Sequence, residues 1–301
     1  MAEQIALEVP PALDGARVDK AIAELLGLSR ARASLVVASG VRLDDIEAKP
    51  SDRVRGGQTI VCEIPERAAG LVPEEMELDI LFEDDEIVVV DKRPGVVVHP
   101  GGGGAGGTLA AGLLHRYPDL AGVGAVDRWG LVHRLDKDTS GVILVARTPQ
   151  AFADLTGQLR RREMTRIYTA LVEGSMEAPT GTIEAPIGPD PAQPSRRAVR
   201  HGGKPARTHY ELVRYFEASD VSLLVVKLET GRTHQIRVHL SAIEHPVAGD
   251  RAYGATRKDL GSPRTFLHAS RLEFTHPATG NRLEVEAPLP NDLSAVLEAL
   301  S

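Results

Sequence analysis

The sequence of 301 residues predicts an α+β fold, with a small helical unit first and a sheet-rich domain after it. Apolar residues recur at helical spacing in 18–26. Later apolar runs are short and end at turn residues, as in 87–90, 142–146 and 221–228, which is typical of buried strands. A hydrophobic content of 42% is enough for a large core.

The composition favours a cytoplasmic protein, and we expect a monomer. The single cysteine, Cys62, excludes a disulfide framework within the chain. The first residues lack the basic head and apolar core of a signal peptide. No apolar run reaches the length of a membrane span, so we expect no membrane partner.

Residues 1–70 are predicted to form a separate unit. The first helix is expected from the apolar spacing in 18–26. Ser29 suits the N-cap of a second helix, and Arg30 and Arg32 then fall in its first turn, where phosphate contacts are favourable. Two short strands are expected to follow, at 41–43 and 59–62.

The distribution of charge divides the rest of the chain. Residues 71–79 carry a proline and several acids and are predicted to be a linker, with the main domain at 80–301. Residues 71–91 hold nine acids and no lysine or arginine, whereas the chain from Lys92 onward holds 26 basic and 22 acidic residues. The net charge of −7 therefore hides a modestly basic main domain, so a nucleic-acid partner would need shape and local patches as well as bulk charge.

The stretch 131–141 is the strongest candidate for chemistry. Asp136 precedes a buried apolar strand at 142–146 and has a cation, Arg134, two residues before it. A nearby cation favours the carboxylate form, and a positioned carboxylate can act as a nucleophile or a base. On spacing alone, a surface turn with a local salt bridge is an equal alternative.

The remaining elements of the main domain follow from periodicity and end signals. Pro149 starts a helix to about residue 162. Thr233 is a candidate N-cap for a helix with Ile236 and Leu240 on one face, and Asp292 is a candidate N-cap for the last helix. Further strands are expected at 80–82, 87–90, 166–173, 208–216, 221–228, 271–275 and 282–286, and a further helix at 108–116.

A basic loop is predicted at 196–207, where glycine and proline interrupt the pattern. It carries five cations and no acid, and we favour contact with an RNA backbone over mere solubility. Four of these cations are candidate RNA-binding residues: Arg196, Arg197, Arg200 and Lys204. Three nearby histidines at 234, 239 and 245 lack a carboxylate or cysteine that would complete a ligand set, so no metal site is predicted.

Five stretches resemble the RluA-type pseudouridine synthases in the order of that family. One of them, His-Arg-Leu-Asp-Lys-Asp-Thr-Ser-Gly at 133–141, contains Asp136. The other four are Asp-Lys-Arg-Pro-Gly-Val-Val-Val-His-Pro at 91–100, Arg-Ile-Tyr-Thr-Ala-Leu-Val-Glu-Gly at 166–174, Glu-Thr-Gly-Arg-Thr-His-Gln-Ile-Arg-Val-His-Leu at 229–240, and Leu-His-Ala at 267–269. Residues 1–70 resemble the S4 RNA-binding domain, except that Asp44-Asp45 stands where an Asn-Gly turn is typical.

The resemblance implies a mixed, mostly antiparallel sheet with a central cleft, and an isomerase that converts uridine in RNA to pseudouridine. Large-subunit ribosomal RNA is the expected substrate, and no cofactor or metal is expected. Asp136 would be the essential carboxylate, as nucleophile or base at the sugar. Arg134 and Arg237 would bind phosphate or pair with Asp136. Tyr168, which from the residues alone is equally a core or edge tyrosine, would stack on the target base and help proton transfer.

Two other classes of function fit parts of the sequence. Asp136-Lys137-Asp138-Thr139 also fits the motif of aspartyl-phosphate phosphatases, but these need magnesium and a downstream lysine and acidic pair. The second alternative is a protein that only binds RNA on an inactive synthase-like body. The combined presence of Asp136, Tyr168 and Arg237 argues against it.

Overall fold

In a computed structural model of the chain, the structure describes residues 3–26, 33, 36–37, 40–64, 71–99, 106–124, 129–193, 196–257 and 260–300. The chain divides into two compact units, Met1–Gly70 and Leu71–Ser301. The predicted phosphate-binding residues Arg30 and Arg32, and the predicted cap Ser29, lie outside the described residues. Among the described residues, no helix is both long enough and apolar enough to cross a bilayer.

The first unit contains more sheet than the sequence predicts. Its described helix, α1, covers Val18–Leu25 and buries Val18 and Ile22. The unpredicted N-terminal strand pairs antiparallel with the strand that contains Cys62. The four strands lie in the order β1-β4-β2-β3, with bounds β1 Glu3–Glu8, β2 Val41–Leu43, β3 Ile46–Glu47 and β4 Thr59–Ile64; a 3₁₀ turn covers Pro11–Leu13.

The Asp44-Asp45 pair forms the tight turn between β2 and β3. Both residues have left-handed backbone, with φ of 47° and 68°. This is the conformation that an Asn-Gly hairpin turn adopts, and aspartate tolerates it better than most residues. The Asp44 carboxylate accepts hydrogen bonds from the Thr59 amide at 2.8 Å and the Gln58 side chain at 3.0 Å. The two acids therefore serve the local turn.

The second unit is built on one mixed sheet of nine strands. The strand order is β5-β6-β7-β14-β8-β13-β12-β9, and β15 pairs with β14. Only β7 and β14 run parallel; all the other described pairs of this sheet are antiparallel. The strand bounds are β5 Asp79–Glu83, β6 Ile87–Lys92, β7 Ser140–Ala146, β8 Thr165–Glu173, β9 Thr180–Glu184, β10 Ile187–Pro189, β11 Arg197–Val199, β12 Arg207–Phe216, β13 Val221–Leu228, β14 Leu267–Thr275 and β15 Arg282–Glu286.

Four described helices and a separate hairpin accompany this sheet in the second unit. Strands β10 and β11 form a two-stranded antiparallel hairpin, here called the basic hairpin and taken as residues 187–204. The helices are α2 Leu109–Arg116, α3 Pro149–Arg161, α4 Gln235–Ala242 and α5 Asn291–Ala299, with 3₁₀ turns at Pro118–Leu120 and Glu217–Ser219. Every residue of β7 is buried, as its apolar run predicts.

The segment predicted as a linker, 71–79, packs with the second unit. Leu71 is buried in the main core. The amide of Glu74 donates to the carbonyl of Ala111 in α2, at 3.2 Å. Residue 79 already belongs to β5. The acids and the proline of this segment suggested a free linker, because composition gives no sign of these contacts with α2.

Two predicted helix caps are wrong. The helix after Gly231 begins at Gln235, and the N-cap position is His234 rather than Thr233. The last helix begins at Asn291 after Pro290, so Asp292 lies inside its first turn and pairs with Arg264 instead of capping.

Gly141 positions the loop that carries Asp136. Its φ is 111°, and a Cβ at this position would lie 2.2 Å from the carbonyl oxygen of Ala269. Only glycine therefore allows β7 to pair with β14 here. The parallel pair places residues 133–139 at the start of a central strand, with β8 on the other side of β14.

Candidate active site

Asp136 lies on the loop before β7 with a half-buried side chain. Oδ2 accepts a hydrogen bond from Nη1 of Arg237 at 3.0 Å. Oδ1 faces Nε2 of His234 at 3.8 Å, which is beyond hydrogen-bond distance. Within the described part of the chain, no donor is in hydrogen-bond contact with Oδ1. One oxygen is thus held, and the other is available to a substrate.

Arg237 is fixed in turn by Asp250, which is buried. The guanidinium donates from Nε to Oδ2 at 2.6 Å and from Nη2 to Oδ1 at 2.9 Å, a bidentate pair. Burial alone lowers the pKa of Arg237, but the bonds to Asp250 and the charges of Asp250 and Asp136 outweigh it and raise the pKa. Arg237 therefore stays charged and holds Asp136 in a defined orientation.

His234 takes part in the site, although the sequence assigned it no functional role. It has left-handed backbone, with φ of 57°, and its Nδ1 lies 2.7 Å from the hydroxyl of Tyr253. That hydroxyl accepts from the amide of Arg197 at 2.9 Å, so its own proton is available to Nδ1. Burial lowers the pKa of His234 and favours the neutral ring. The ring proton then lies on Nε2, which faces Asp136.

A buried lysine and an arginine hold the backbone of the Asp136 loop. Lys92 is 1% exposed, and its Nζ donates to the carbonyls of Arg93, Val96 and Lys137 at 2.8, 2.9 and 3.0 Å. The side chain of Asp138 is exposed. Its carbonyl accepts from Nη1 of Arg264 at 2.8 Å. Asp138 therefore contributes through its backbone.

A cavity of about 530 Å³ opens beside Asp136. Besides Asp136, the only described acid on its wall is Glu229, which pairs with Arg162 at 2.9 Å and with His209 at 2.8 Å. The cavity is therefore electropositive and suits a polyanion. Six of the described arginines line it: Arg134, Arg160, Arg162, Arg166, Arg232 and Arg237.

Tyr168 and Arg134, the two further residues predicted to contact the substrate, both line this cavity. The ring of Tyr168 is buried on β8, and its hydroxyl has no hydrogen-bond partner among the residues that the structure describes. Burial raises the pKa of Tyr168, so the phenol keeps its proton at neutral pH. Arg134 is exposed and does not pair with Asp136. Of the two predicted arginines, only Arg237 makes that pair.

The predicted RNA-binding residues of the basic hairpin differ in accessibility. Arg200 and Lys204 are exposed. The guanidinium of Arg196 instead stacks on the ring of Tyr253, with its central carbon 4.9 Å from the ring centre. Arg197 is half-buried, and its amide binds the hydroxyl of the same tyrosine. The hairpin is thus joined to the site through Tyr253.

Comparison with known proteins identifies the family. The profile of the family described as RNA pseudouridylate synthase matches residues 86–242. The chain belongs to this family. It is an RNA uridine isomerase of the RluA type, and the predicted resemblance is confirmed. The phosphatase alternative is therefore wrong, and so is the inactive binding protein.

Several relatives match over nearly the whole chain. "Ribosomal large subunit pseudouridine synthase D" of Nitrosomonas europaea is 46% identical, covering 98% of this chain and 88% of the relative. The protein of the same name from Vibrio parahaemolyticus is 42% identical, covering 100% and 96%. An "Uncharacterized RNA pseudouridine synthase" of Chloroflexus aurantiacus is 47% identical, covering 99% and 94%. Within the family, the motifs of this chain resemble the D-type member, RluD, as the relatives bear out.

Solved structures support the fold. The human RNA Pseudouridylate Synthase Domain Containing 1 aligns with a TM-score of 0.57 at 28% identity, covering 74% of this chain and 94% of that one. The human RNA Pseudouridylate Synthase Domain Containing 4 aligns with a TM-score of 0.59 at 25% identity, covering 74% and 92%. The second unit therefore has the pseudouridine synthase fold, with mixed α and β content on a mixed sheet.

Proposed function

We propose that the chain isomerises specific uridines of large-subunit ribosomal RNA, with Asp136 as the catalytic carboxylate and without a metal or cofactor. The substrate is inferred from the relatives named "Ribosomal large subunit pseudouridine synthase D". The observation that supports the role of Asp136 is that its two carboxylate oxygens differ in their hydrogen bonding. Arg237 holds Oδ2, whereas Oδ1 has no hydrogen-bond donor in the described structure, and Asp136 lines the cavity.

The reaction balances within the nucleotide itself. The bond between uracil N1 and ribose C1′ breaks, and its electron pair stays on the uracil. Oδ1 of Asp136 assists at the ribose, as a nucleophile at C1′ or as a base on the sugar. The uracil then turns, C5 bonds to C1′, C5 loses a proton and N1 gains one. No electrons and no net water are exchanged, so the chemistry does not require a redox group.

Tyr168 and Arg134 are proposed to hold the target nucleotide. A uridine within a stem must leave its stack to reach the cavity, which costs a few kcal/mol. The buried ring of Tyr168 offers a surface on which the extruded base can stack, and stacking restores part of that energy. The exposed guanidinium of Arg134 is free to bind a phosphate at the cavity rim.

The first unit is proposed to add RNA contacts as an S4-like domain, acting in the cytoplasm. Arg30 and Arg32 are the candidate phosphate-binding residues. In the full-length chain, replacing both by alanine should weaken RNA binding and leave the single-turnover rate at saturating RNA unchanged. An unchanged dissociation constant would show that the first unit does not bind RNA through these residues.

The test of the proposed function is the substitution Asp136→Asn. The amide keeps the size of the side chain but is neither a nucleophile nor a useful base at neutral pH. Pseudouridine formed in a single turnover should fall below detection, while RNA affinity is kept. Asp138→Asn is the matched control and should be mild, since its side chain is exposed. An Asp136→Asn rate within about tenfold of wild type, or about 1.4 kcal/mol in the barrier, would refute the mechanism.

The cofactor-free part of the proposal has its own test. Activity on a folded ribosomal RNA fragment should survive a chelator, once the fold of the RNA is held constant with a monovalent salt. A loss of activity that only a divalent ion restores, with the RNA fold unchanged, would contradict it. Mapping of pseudouridine in ribosomal RNA from cells with and without the protein would identify the target uridines.

A further inference from the structure

Arg166 is a buried cation on the cavity wall that the mechanism above does not use. It is 8% exposed, and its Nε is buried without a hydrogen-bond partner in the described structure. No described carboxylate pairs with its guanidinium; the neutral phenol of Tyr168 and the cation Arg232 are the titratable groups that act on it. A buried guanidinium without partners is costly, and such a group is kept where a ligand completes its hydrogen bonds.

The strand places Arg166 beside the base-stacking surface. Arg166 and Tyr168 are two residues apart on β8, so their side chains share one face. Both line the cavity that Asp136 borders. A Cβ at Gly231 would lie 2.6 Å from Nη1 of Arg166, so the glycine gives the guanidinium room against the loop before α4.

The reaction creates a negative charge in this region, and no residue has so far been given the task of stabilising it. When the N1–C1′ bond breaks, the uracil carries the electron pair as an anion, with the charge spread over N1 and the two carbonyl oxygens. This anion must be retained while it turns. A preorganised guanidinium in a water-poor site stabilises such a charge strongly, because its N–H donors need no reorganisation.

We propose that Arg166 is a catalytic residue that binds the departing uracil anion and holds it through the rotation. This inference rests on the proposed function, since it requires a target uridine in the cavity. Arg166 donates hydrogen bonds to the carbonyl oxygens and transfers no proton. The C5 proton leaves to another base, and N1 gains a proton, so the guanidinium is the same before and after the reaction.

The test compares leaving groups. In Arg166→Gln, single-turnover conversion of uridine should slow by about 10²–10³-fold, as for the loss of one preorganised donor. The dissociation constant for the RNA should change by less than about threefold, because the phosphate contacts remain. RNA with 5-fluorouridine at the target position carries a leaving group whose anion the fluorine already stabilises. Arg166→Gln should therefore slow the consumption of 5-fluorouridine less than it slows the conversion of uridine. The two slowing factors should differ by at least about tenfold.

Two further variants keep the comparison decisive. Arg166→Lys retains the charge, so it should recover part of the single-turnover rate. It should show the same leaving-group trend and can replace Arg166→Gln if that variant does not fold. Arg271→Gln is the matched control, since Arg271 lies on the neighbouring strand β14 and pairs with Glu284 and Glu286 outside the cavity. It should leave both rates unchanged.

Three outcomes would overturn the proposal. Equal slowing of uridine and 5-fluorouridine would mean that Arg166 acts only on the architecture of the cavity. A loss of RNA affinity with an unchanged rate would make it a phosphate anchor. A wild-type rate in Arg166→Gln would remove it from the reaction. None of these outcomes changes the result expected for Asp136→Asn, so the role of Asp136 is tested separately.

Discussion

The hydroxyl of Tyr253 lies 2.7 Å from Nδ1 of His234, and the same hydroxyl accepts the amide of Arg197 at 2.9 Å. The tyrosine ring lies against two guanidiniums, with central carbons 4.9 Å from its centre, one from Arg196 and one from Arg237. Tyr253 therefore contacts both the basic hairpin and the two groups that face Asp136. A change in the hairpin on binding RNA would reach the carboxylate through this ring.

Tyr253→Phe should separate the contribution of the hydroxyl from that of the ring. The ring contacts remain, but Nδ1 of His234 loses its donor, so the proton is no longer confined to Nε2. The single-turnover rate should fall about tenfold, equivalent to about 1.4 kcal/mol and typical of one lost hydrogen bond, with little change in RNA affinity. The ¹⁵N shifts of His234, assigned against a His234→Asn spectrum, should change from one tautomer to a mixture.

Tyr215→Phe is the matched control for this experiment. Its hydroxyl is bound to the Asp220 carboxylate at 2.9 Å on the surface. It should keep the wild-type rate and the wild-type histidine spectrum. If Tyr253→Phe kept the tautomer of His234 and the full rate, the contacts of the Tyr253 hydroxyl between the hairpin and His234 would not affect the reaction.

Asp250→Asn should damage both stability and activity. The carboxylate is 1% exposed and forms two hydrogen bonds with Arg237. Removing one charge of a buried pair typically costs about 3–5 kcal/mol, because the other charge stays buried. Urea unfolding should show a loss of this size. Asp79→Asn, at an exposed pair with Arg93, should cost less than about 1 kcal/mol. Equal losses in the two variants would contradict the buried-pair interpretation.

His133 should make the protein sensitive to acid. Its Nε2 accepts the amide of Leu144 at 3.0 Å, and burial, aided by the charge of Arg166, lowers its pKa from 6.5 to about 3. Between these values the unfolded chain binds a proton that the folded chain does not. The contribution of His133 to the free energy of unfolding is therefore fully present above pH 6.5. It is lost progressively as the pH drops toward 3.

The variant His133→Gln isolates this contribution. Glutamine keeps an acceptor for Leu144 but does not titrate, and other buried histidines act equally in both proteins. Urea midpoints measured from pH 7.5 down to about 4.5 should fall more steeply for wild type than for the variant. Parallel curves would mean that His133 is not held neutral in the folded state.

The exposed cations of the basic hairpin should bind phosphate. Arg200→Ala with Lys204→Ala should weaken RNA binding by about tenfold and lower the salt slope by about two, one for each lost contact. The rate at saturating RNA should be unchanged. Arg214→Ala with Lys227→Ala removes the same charge elsewhere on the second unit and should leave the salt slope unchanged. Equal effects of the two pairs would show that only total charge matters.

The strands of the second unit could be predicted because their signal is local. The buried run of β7 and the alternation along β8 are visible in a few consecutive residues, and they placed Asp136 on a loop and Tyr168 on a strand. The family motifs then selected Asp136, Arg237 and Tyr168 as a group. Their presence on one cavity wall required only that the sheet form as the motifs imply.

The partners that orient these residues could not be predicted, because their contacts are distant in sequence. Arg237 and Asp136 are 101 residues apart, and Asp250 gave no local sign of being buried against Arg237. The role of His234 could not be predicted either. It lies in left-handed backbone just before the helix, where the helical periodicity of the sequence has not yet begun. Arg196 was predicted as an RNA contact from its charge, whereas its place over Tyr253 depends on a tertiary contact.

Arg264 should act on the reaction from outside the cavity. It donates from Nε to Asp292 at 2.6 Å in α5, and from Nη1 to the carbonyl of Asp138 and Nη2 to the hydroxyl of Ser140, at 2.8 and 3.1 Å. Three nitrogens of one rigid fork thus fix the loop of Asp136 to the last helix. A lysine ammonium cannot span these positions at once.

We therefore expect Arg264→Lys to lower the single-turnover rate by about tenfold and to cost about 1–2 kcal/mol in unfolding free energy. Asp292→Asn should be milder, because the guanidinium keeps its bonds to the loop. RNA affinity should change in neither variant. If Arg264→Lys lost the same stability but kept the wild-type rate, the fork would stabilise the fold without positioning Asp136.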